Sequence, residues 1–417
     1  MTIAQDDQRA ARPDHDGVGE PVWPVARNPV LDWLVGETRS ERFLDNLFLD
    51  MCERLNAAGL MIGRATIHLR VHHPQWLGAR ILWRRGMVEA EIDTFDYGIE
   101  ETPQFQRSPA RLLYSGVNEV RQILGDPALD EPFPLYGDLY RQGLTEYLAW
   151  PLEYTLDKKH IITFSSDRPG GFRDWEIVAL RDILPIFALA SEVRVKNRMA
   201  RTLLETYVGP HASEQILAGA STRGSGATIE AAIMICDLRD FTSLSDLWPR
   251  DDVIDMLNAY FDALSEPIER QGGEILKFMG DGLLAIFPLS DPEACAKLLL
   301  AIRDTRRRME ALNLVHEERG LPNLRFGTGV HIGDVMYGNI GSRRRLDFTA
   351  IGPVVNIASR LETLTKDIGR SVLLSGDFVE RAGCQDEVDS VGPHVLKGLN
   401  HPVDVYALQT PTRISSD

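Results

Sequence analysis

Hydrophobic periodicity predicts an α+β region in the first half of the chain. An amphipathic helix pattern covers residues 44–55 and ends before Gly59, where a helix C-cap would lie. Alternation of apolar and polar side chains and short apolar runs predict strands at 65–71, 147–151 and 160–164. Asp174 is the expected N-cap of a long exit helix. This order of elements is typical of a sensor module.

The second half shows a different arrangement of patterns. Apolar runs and alternation predict strands at 231–236, 274–278, 283–287, 324–332 and 335–340. Helical spacing predicts helices at 251–272, 292–314 and 354–365. Strands and helices alternate imperfectly, so we expect an α/β sandwich with a mixed sheet and not a doubly wound fold.

Composition limits the classes of function. The 417 residues include 45 Lys and Arg against 61 Asp and Glu, a net charge of −16, which argues against nucleic-acid and anionic-lipid partners. The four cysteines have no zinc-like spacing, and the longest apolar run, 183–190, is too short for a membrane span. Because no secretory signal is recognisable either, we expect a cytoplasmic protein.

Two aspartates stand at the ends of predicted strands. Asp237 follows the run 231–236, and Asp281 lies between two glycines in the turn of a predicted hairpin. Carboxylates that meet at a sheet edge can hold divalent cations that clamp the attacking and leaving oxygens of a phosphoryl transfer. Aspartates at such positions are also common structural residues, so neighbouring motifs must decide between the two readings.

Three segments supply those motifs, and together they resemble the class III nucleotidyl cyclases, the adenylate and guanylate cyclases. The segments are DLRDFTSLS at 237–245, GEILKFMGDG at 273–282 and DFTAIGPVVNIASRLE at 347–362. The likeness covers about residues 228–408. It implies a head-to-tail homodimer with two composite sites, each taking its metal-binding aspartates from one protomer and its remaining groups from the other.

The resemblance assigns a metal and phosphate role to residues of the first two motifs. It implies that Asp237, Leu238 and Asp281 hold two Mg²⁺ or Mn²⁺ ions, and that the main-chain N–H groups of Arg239 to Thr242, those of Phe241 and Thr242 included, cradle phosphate oxygens. Asp240 stands where many members of the family have glycine. Because glycine adopts main-chain conformations that other residues avoid, this departure bears on the conformation of the loop.

The base-reading positions implied by the resemblance are Lys277 and Thr349. Strand alternation predicts that Lys277 faces the same side as Met279 and Asp281. A lysine ammonium only donates hydrogen bonds, so it suits the acceptor N1 of adenine and not the N1–H of guanine. The Thr349 hydroxyl can accept from the adenine amino group. These two residues therefore favour ATP as substrate.

The remaining catalytic positions lie on the last predicted helix and beyond it. Asn356 and Arg360 are four residues apart and share a helix face. The resemblance implies that Asn356 orients the ribose, that Arg360 stabilises charge on the α-phosphate, and that Lys397 holds the terminal phosphates. A surface lysine beside the turn residue Gly398 is the alternative for Lys397.

The N-terminal region resembles a GAF domain in its element pattern and in the segment from Gly170-Gly171-Phe172 to Val193. The predicted organisation is a disordered arm (1–27), a GAF-like regulatory domain (28–195), a helical signalling linker (196–227), a cyclase domain (228–410) and a tail (411–417). An apolar stripe in the linker could pair with a second copy or pack on its own domain.

The sequence as a whole predicts a homodimeric adenylate cyclase that converts ATP to 3′,5′-cyclic AMP and pyrophosphate. An unknown ligand or protein acting on the N-terminal domain is expected to regulate it. Two alternatives stay open at this point: a guanylate cyclase, and a nucleotide-binding sensor with little turnover. A cyclic-dinucleotide synthase is excluded, because its Gly-Gly-Asp/Glu-Glu-Phe signature is absent from the sequence.

Overall fold

The computed structural model describes residues 29–71, 73–125, 133–399 and 401–409. The predicted arm 1–27 and tail 411–417 lie outside these residues. The chain divides into two compact units, with the division between Met199 and Ala200. The domain limits inferred from the sequence stay a prediction.

A six-stranded antiparallel sheet forms the centre of the first unit, in the order β3-β2-β1-β6-β5-β4. Its strands are β1 Ile62–Arg70, β2 Gly78–Arg84, β3 Glu91–Phe95, β4 Val120–Ile123, β5 Glu146–Glu153 and β6 Lys159–Ser166. The helices of this unit, in chain order, are α1 Pro29–Gly36, α2 Leu44–Ala57, α3 Pro103–Gln106, α4 Pro109–Tyr114, α5 Pro134–Arg141 and α6 Asp174–Val208. The predicted first helix, the three strands and the exit helix are confirmed. The resemblance to a GAF domain stays a prediction.

The second unit contains an eight-stranded mixed sheet in the order β13-β14-β12-β10-β7-β9-β8, with β11 paired to β10. Its strands are β7 Gly226–Leu238, β8 Glu274–Met279, β9 Gly282–Pro288, β10 Phe326–Gly341, β11 Leu346–Ile351, β12 Val372–Ser375, β13 Val388–His394 and β14 Val403–Leu408. Its helices are α7 Pro210–Leu217, α8 Phe241–Leu247, α9 Arg250–Arg270, α10 Ala294–Arg319, α11 Pro353–Ile368 and α12 Gly376–Ala382. Strands β10 and β12 pair in parallel and the other pairs are antiparallel, so the predicted mixed sheet is confirmed.

One prediction for this unit is wrong. Residues 324–332 and 335–340 were expected to form two strands, but strand β10 runs unbroken from Phe326 to Gly341. The expected interruption at 333–334 is absent, because Gly333 stays paired with Ala231 of β7. The glycine is required for another reason: a Cβ atom there would lie 2.8 Å from Cγ2 of Val354, at the start of α11.

Residues 231–236 of strand β7 are buried on both faces of the sheet, and this part of the strand forms the centre of the unit. Ala232, Met234 and Cys236 belong to one apolar cluster, whereas Ile233 and Ile235 belong to another. A strand that is covered on both sides reads as a continuous apolar run, which is why 231–236 shows no alternation. Polar side chains of β7 are therefore confined to its ends.

Phe287 of β9 is a sensitive position in this core. Its ring is 1% exposed and lies over Gly273, where any Cβ atom would overlap it. We expect Phe287→Ala to lower the free energy of unfolding of this unit by about 3–5 kcal/mol, because a large buried ring leaves a cavity. Native-state hydrogen exchange of the β9 amides measures the loss. Leu300→Ala, at a side chain 48% exposed on α10, should change it by less than about 0.5 kcal/mol, and equal effects would contradict the assignment.

Candidate functional site

Asp237 and Asp281 meet where strands β7 and β9 begin to separate. Asp237 pairs with Gly282, and the Leu238 N–H donates to the carbonyl oxygen of Asp281 at 3.3 Å. A Cβ atom on Gly282 would lie 2.9 Å from Oδ1 of Asp237, so the glycine leaves room for the carboxylate. Burial, and then the charge of Asp281, raise the pKa of Asp237 above its ordinary value. The two carboxylates therefore repel each other across a short gap.

This donor set fits a divalent cation that is shared with a phosphate ligand. Among the described residues, no group of three or more His, Cys, Asp or Glu side chains could hold a metal ion. Two carboxylates and the nearby main chain of Leu238 would leave most of the coordination sphere open. Mg²⁺ is commonly bound in this way, by one or two carboxylates together with substrate phosphates.

The loop after Asp237 turns sharply into helix α8. Asp240 has a φ of 60°, in the left-handed region that favours glycine and that aspartate tolerates better than most residues. Its side chain also accepts from Nη2 of Arg325 at 2.6 Å. Although Asp240 replaces the glycine of the family pattern, the loop keeps a conformation that suits glycine. The aspartate main chain is less favourable in this conformation. Phe241 and Thr242 follow as the first residues of α8.

Arg239 ties this loop to helix α11. Its side chain is 11% exposed, with Nη1 3.2 Å from Oε1 of Glu362, and Nη2 donates to the Glu362 carbonyl oxygen at 3.2 Å. The guanidinium lies over Gly327, where a Cβ atom would overlap it. The Arg239 N–H donates to the carbonyl oxygen of Arg325 at 2.7 Å, so the expectation that this N–H holds a phosphate oxygen is wrong. No local pattern in the sequence indicates the Arg239–Glu362 pair, since 123 residues separate its members.

Lys277 and Thr349 come together through a residue that sequence reasoning did not assign. Nζ of Lys277 lies 2.9 Å from Oδ2 of Asp347, and the ammonium holds the pKa of that carboxyl below its usual range. Asp347 and Thr349 are two residues apart on β11 and share a face of the strand. The alternation that begins at Lys277 ends at Met279, because Asp281 lies in the turn. Asp347 could have been found from the sequence, because it lies two residues before Thr349 and so shares its face of the strand.

Helix α11 turns Asn356 and Arg360 away from the sheet. Its buried face carries Val354, Ala358, Leu361, Glu362 and Thr365. At 100° per residue, Asn356 and Arg360 fall on the opposite side of the helix. A Cβ atom on Gly398 would lie 3.5 Å from Nη2 of Arg360, so Arg360 lies beside the turn that carries Lys397. The structure thus brings Arg360 and Lys397 into one neighbourhood.

The family comparison agrees with the fold of the second unit. The adenylate and guanylate cyclase catalytic domain matches residues 225–410. The second unit therefore carries a class III nucleotidyl cyclase catalytic domain, and the resemblance stated from the three motifs is confirmed.

Among curated relatives, adenylate cyclase 1 of Rhizobium meliloti (strain 1021) is 32% identical over 262 residues, covering 59% of this chain and 39% of the relative. The adenylate cyclase of Anabaena cylindrica is 31% identical over 196 residues, covering 45% of this chain and 38% of the relative. The chain thus spans about two fifths of the length of these relatives. The crystal structure of the adenylyl cyclase CyaB from P. aeruginosa is 26% identical, covers 45% of this chain and 97% of that one, and has a TM-score of 0.41.

Within the residues that the structure describes, no helix has both the length and the apolar character needed to cross a membrane.

The buried pair Arg239–Glu362 gives a testable consequence. Arg239→Met leaves the Glu362 carboxyl, 8% exposed, without its partner, and we expect a loss of about 3–5 kcal/mol in the stability of this unit. Adding Glu362→Gln removes the stranded charge and should restore part of the loss. Native-state hydrogen exchange of the α11 amides measures both effects.

Arg370→Met is the matched control, because Arg370 pairs with Asp389 at the surface and each side chain is 46% exposed. A surface pair contributes at most about 1 kcal/mol. Equal losses in Arg239→Met and Arg370→Met would contradict the importance assigned to the buried pair.

Proposed function

We propose that the chain is an adenylate cyclase that converts ATP to 3′,5′-cyclic AMP and pyrophosphate with two divalent cations, Mg²⁺ or Mn²⁺, at each site. The proposal rests mainly on the proximity of the Asp237 and Asp281 carboxylates, whose mutual repulsion a bound cation would relieve. The family of the domain and the names of its adenylate cyclase relatives support the same activity.

The preference for ATP rests on the polar group around β11. Lys277 presents an ammonium, held by Asp347, on the face of β11 that also carries Thr349. An ammonium can donate to N1 of adenine but has no acceptor for the N1–H of guanine. A guanylate cyclase, the second candidate, would need an acceptor at position 277.

The two faces of α11 support a composite site between two protomers. Within one chain, Asn356 and Arg360 lie on the side of α11 opposite to the one packed on β10. Asp237 is at one end of β7, whereas Thr349 pairs with Gly338 near the far end of β10. These positions favour a head-to-tail homodimer, in which each nucleotide lies between the carboxylates of one protomer and the α11 helix of its partner.

The reaction joins the ribose 3′-oxygen to the α-phosphorus and breaks the bond from that phosphorus to the oxygen bridging to the β-phosphate. Divalent cations held by Asp237 and Asp281 would lower the pKa of the 3′-hydroxyl and neutralise the triphosphate. Asn356 orients the ribose, and Arg360 stabilises the charge on the α-phosphate oxygens. Lys397 and the N–H groups of Phe241 and Thr242 hold phosphate oxygens in place. Pyrophosphate leaves, and the hydroxyl proton passes to solvent.

Regulation by the first unit is part of the proposal. Helix α6 contains 35 residues and passes the division between the units, so it is the element through which a signal would reach the second unit. Equal basal and maximal activities in the full chain and in a 228–417 fragment would contradict regulation. A nucleotide-binding sensor with little turnover is the remaining alternative, and it would bind ATP without releasing pyrophosphate.

The first test is complementation between two defective chains. We expect Asp281→Ala and Arg360→Ala each to lower cyclic AMP formation at least roughly a hundredfold, because each removes charge stabilisation from the reacting phosphates. Co-expression of the two variants should restore about a quarter of wild-type activity, since half of the dimers are mixed and each mixed dimer contains one intact site.

The outcomes of complementation separate the parts of the proposal. Two inactive variants without restoration would place the whole site within one chain and contradict the composite dimer. Cyclic AMP formation that survives Asp281→Ala would contradict the metal site itself. Asp386→Ala and Arg319→Ala, at exposed residues far along the chain from the motifs, are the matched controls and should keep wild-type activity.

The second test concerns the base. We expect Lys277→Met to lower kcat/KM for ATP by roughly 10- to 100-fold, the value of one hydrogen bond to a charged group, and to narrow the preference for ATP over GTP. Competition between the two nucleotides measures the preference. Lys297→Met removes a lysine that pairs with Asp291 on another surface, and it should leave the preference for ATP over GTP unchanged. A wild-type preference for GTP would favour the guanylate cyclase.

A further inference from the structure

The sheet of the first unit has two very different faces. On β1, Ala65 and Ile67 belong to the main apolar core of the unit. By the period of two, Arg64, Thr66 and His68 lie on the other face. A sheet face that is simply covered by helices is normally apolar, so the polar composition of this second face calls for another explanation.

A cavity of about 480 Å³ lies over the second face. Strands β1, β2, β5 and β6 supply its floor, and residues of α3, α4 and the start of α5 cover it. Its walls are mostly apolar and include the side chains of Leu77, Phe95, Phe105, Leu135 and Ile161. This volume is within the range of small-molecule sites, which are mostly apolar with a few oriented polar groups.

Both carboxylates that line the cavity are already paired with a cation. Glu100 forms an ion pair with Arg70, which lines the cavity as well. Asp138 forms an ion pair with Arg141, three residues further along α5. A cationic ligand would therefore gain little from these carboxylates, and an anionic ligand would be repelled by them.

The other arginines near the cavity do not form an anion site either. Nε of Arg80 donates to Oδ2 of Asp93 at 3.0 Å. Arg107 is exposed between α3 and α4, so an ion pair formed there would stay in solvent and contribute little. Arg64 is on the same face of the sheet but does not line the cavity, so a ligand does not contact it. The charges at the walls therefore favour a neutral ligand.

A row of hydrogen-bonding side chains lies on the floor. Oγ1 of Thr163 is 2.6 Å from Oγ1 of Thr66, which in turn is 3.1 Å from Nε2 of His68. Burial, and then the charges of two nearby arginines, lower the pKa of His68 to about 3. The imidazole is therefore neutral, and all three members of the row are uncharged.

The two ends of this row offer one donor and one acceptor to the cavity. His68 and Thr163 line the cavity, and Thr66 joins them. If Thr66 donates to Nε2 of the neutral ring, Nδ1 carries the ring proton and can donate, while the Thr163 oxygen can accept. If Nε2 donates to Thr66 instead, Nδ1 accepts and the Thr163 hydroxyl donates. Nδ1 makes no hydrogen bond within the described residues, so this end is open to a ligand.

We propose that this cavity binds a neutral aromatic carboxamide or lactam, whose ring lies between Phe95, Phe105 and Ile161 and whose amide group bonds to His68 and Thr163. An amide carries an N–H donor beside a carbonyl acceptor, so it matches the two ends of the row in either arrangement of protons. A carboxylate has no donor and an ammonium has no acceptor, and each would bring an unpaired charge into the cavity. The site lies in the first unit and goes beyond the proposed nucleotide chemistry, so its test requires no catalysis.

The test compares matched probes on the full chain by isothermal titration. The probes 2-naphthamide, 2-acetylnaphthalene, 2-naphthoate and 2-naphthylmethylammonium share one ring system and differ in the head group. We expect 2-naphthamide to bind at one site per chain, roughly 2- to 10-fold more tightly than the ketone, which lacks the donor, and at least about tenfold more tightly than either ion. A ketone, acid or ammonium that binds as tightly as the amide, or no saturable binding of the amide, would overturn the proposal.

Substitutions at Thr163 test the head group. Thr163→Val removes one end of the row and keeps the shape of the side chain, so 2-naphthamide should lose its advantage over the ketone. Thr163→Ser keeps the hydroxyl and should preserve that advantage. An advantage that is unchanged in Thr163→Val would refute the contact between the amide and this residue.

Substitutions on α4 test the location. Ala110 lines the cavity, so Ala110→Trp should fill it and abolish binding of 2-naphthamide. Leu112→Trp places the same side chain at a position 37% exposed on the same helix, and this control should bind the probe as wild type does. Binding that survives Ala110→Trp, in a variant whose thermal unfolding matches wild type, would place the probe elsewhere. If Ala110→Trp does not fold, the comparison of Thr163→Val with Thr163→Ser decides the question.

Discussion

The close approach of helix α11 to strand β10 is the constraint on which the catalytic half of the molecule depends. Gly327, Gly329 and Gly333 are at odd positions and lie on one face of β10. Gly329 receives the main chain of α11 at Ala358 and Glu362, Gly333 receives Val354, and Gly327 leaves room for the guanidinium of Arg239. A side chain at any of these positions would push the helix outward. The position of α11, and with it that of Arg360, is therefore set by three missing Cβ atoms.

This packing has a consequence for a composite site. In one protomer, Arg239 joins the loop that follows Asp237 to the buried face of α11, while Arg360 lies on the other face of the same helix. In the proposed dimer these two elements serve different nucleotides. A displacement of the metal-binding loop at one site would then move the arginine helix of the other, because a packed helix shifts as a rigid element. The interaction between the two sites of the dimer would pass through Glu362.

Local patterns were sufficient to predict most of the elements, whereas the roles of the candidate site residues stay a prediction. The hairpin around Asp281 and helix α11 have strong local signals, namely a glycine-rich turn between apolar runs and a helical repeat. The continuity of β10 could not be predicted, because Gly333 has the same local signature whether it breaks a strand or admits a helix. The Arg239–Glu362 pair joins residues 123 apart in the sequence, and the Lys277–Asp347 contact joins residues 70 apart. Local periodicity does not indicate contacts between residues with such large sequence separations. The polar face of the first sheet was visible in the alternation of β1, but the cavity over it depends on helices from other parts of the chain.

The place of the carboxylates follows from the burial of β7. Since both faces of residues 231–236 are covered by apolar clusters, a charged side chain can occur only where the strand leaves the core, and Asp237 is the first residue there. The tight turn at Gly280 and Asp281 then brings a second carboxylate to the same edge. Burial, and after it the repulsion from Asp281, raises the pKa of Asp237. Two half-buried negative charges at one edge are unfavourable in a chain that already carries a net charge of −16. A divalent cation would relieve this repulsion, so the same geometry that destabilises the loop would favour the binding of metal and phosphate.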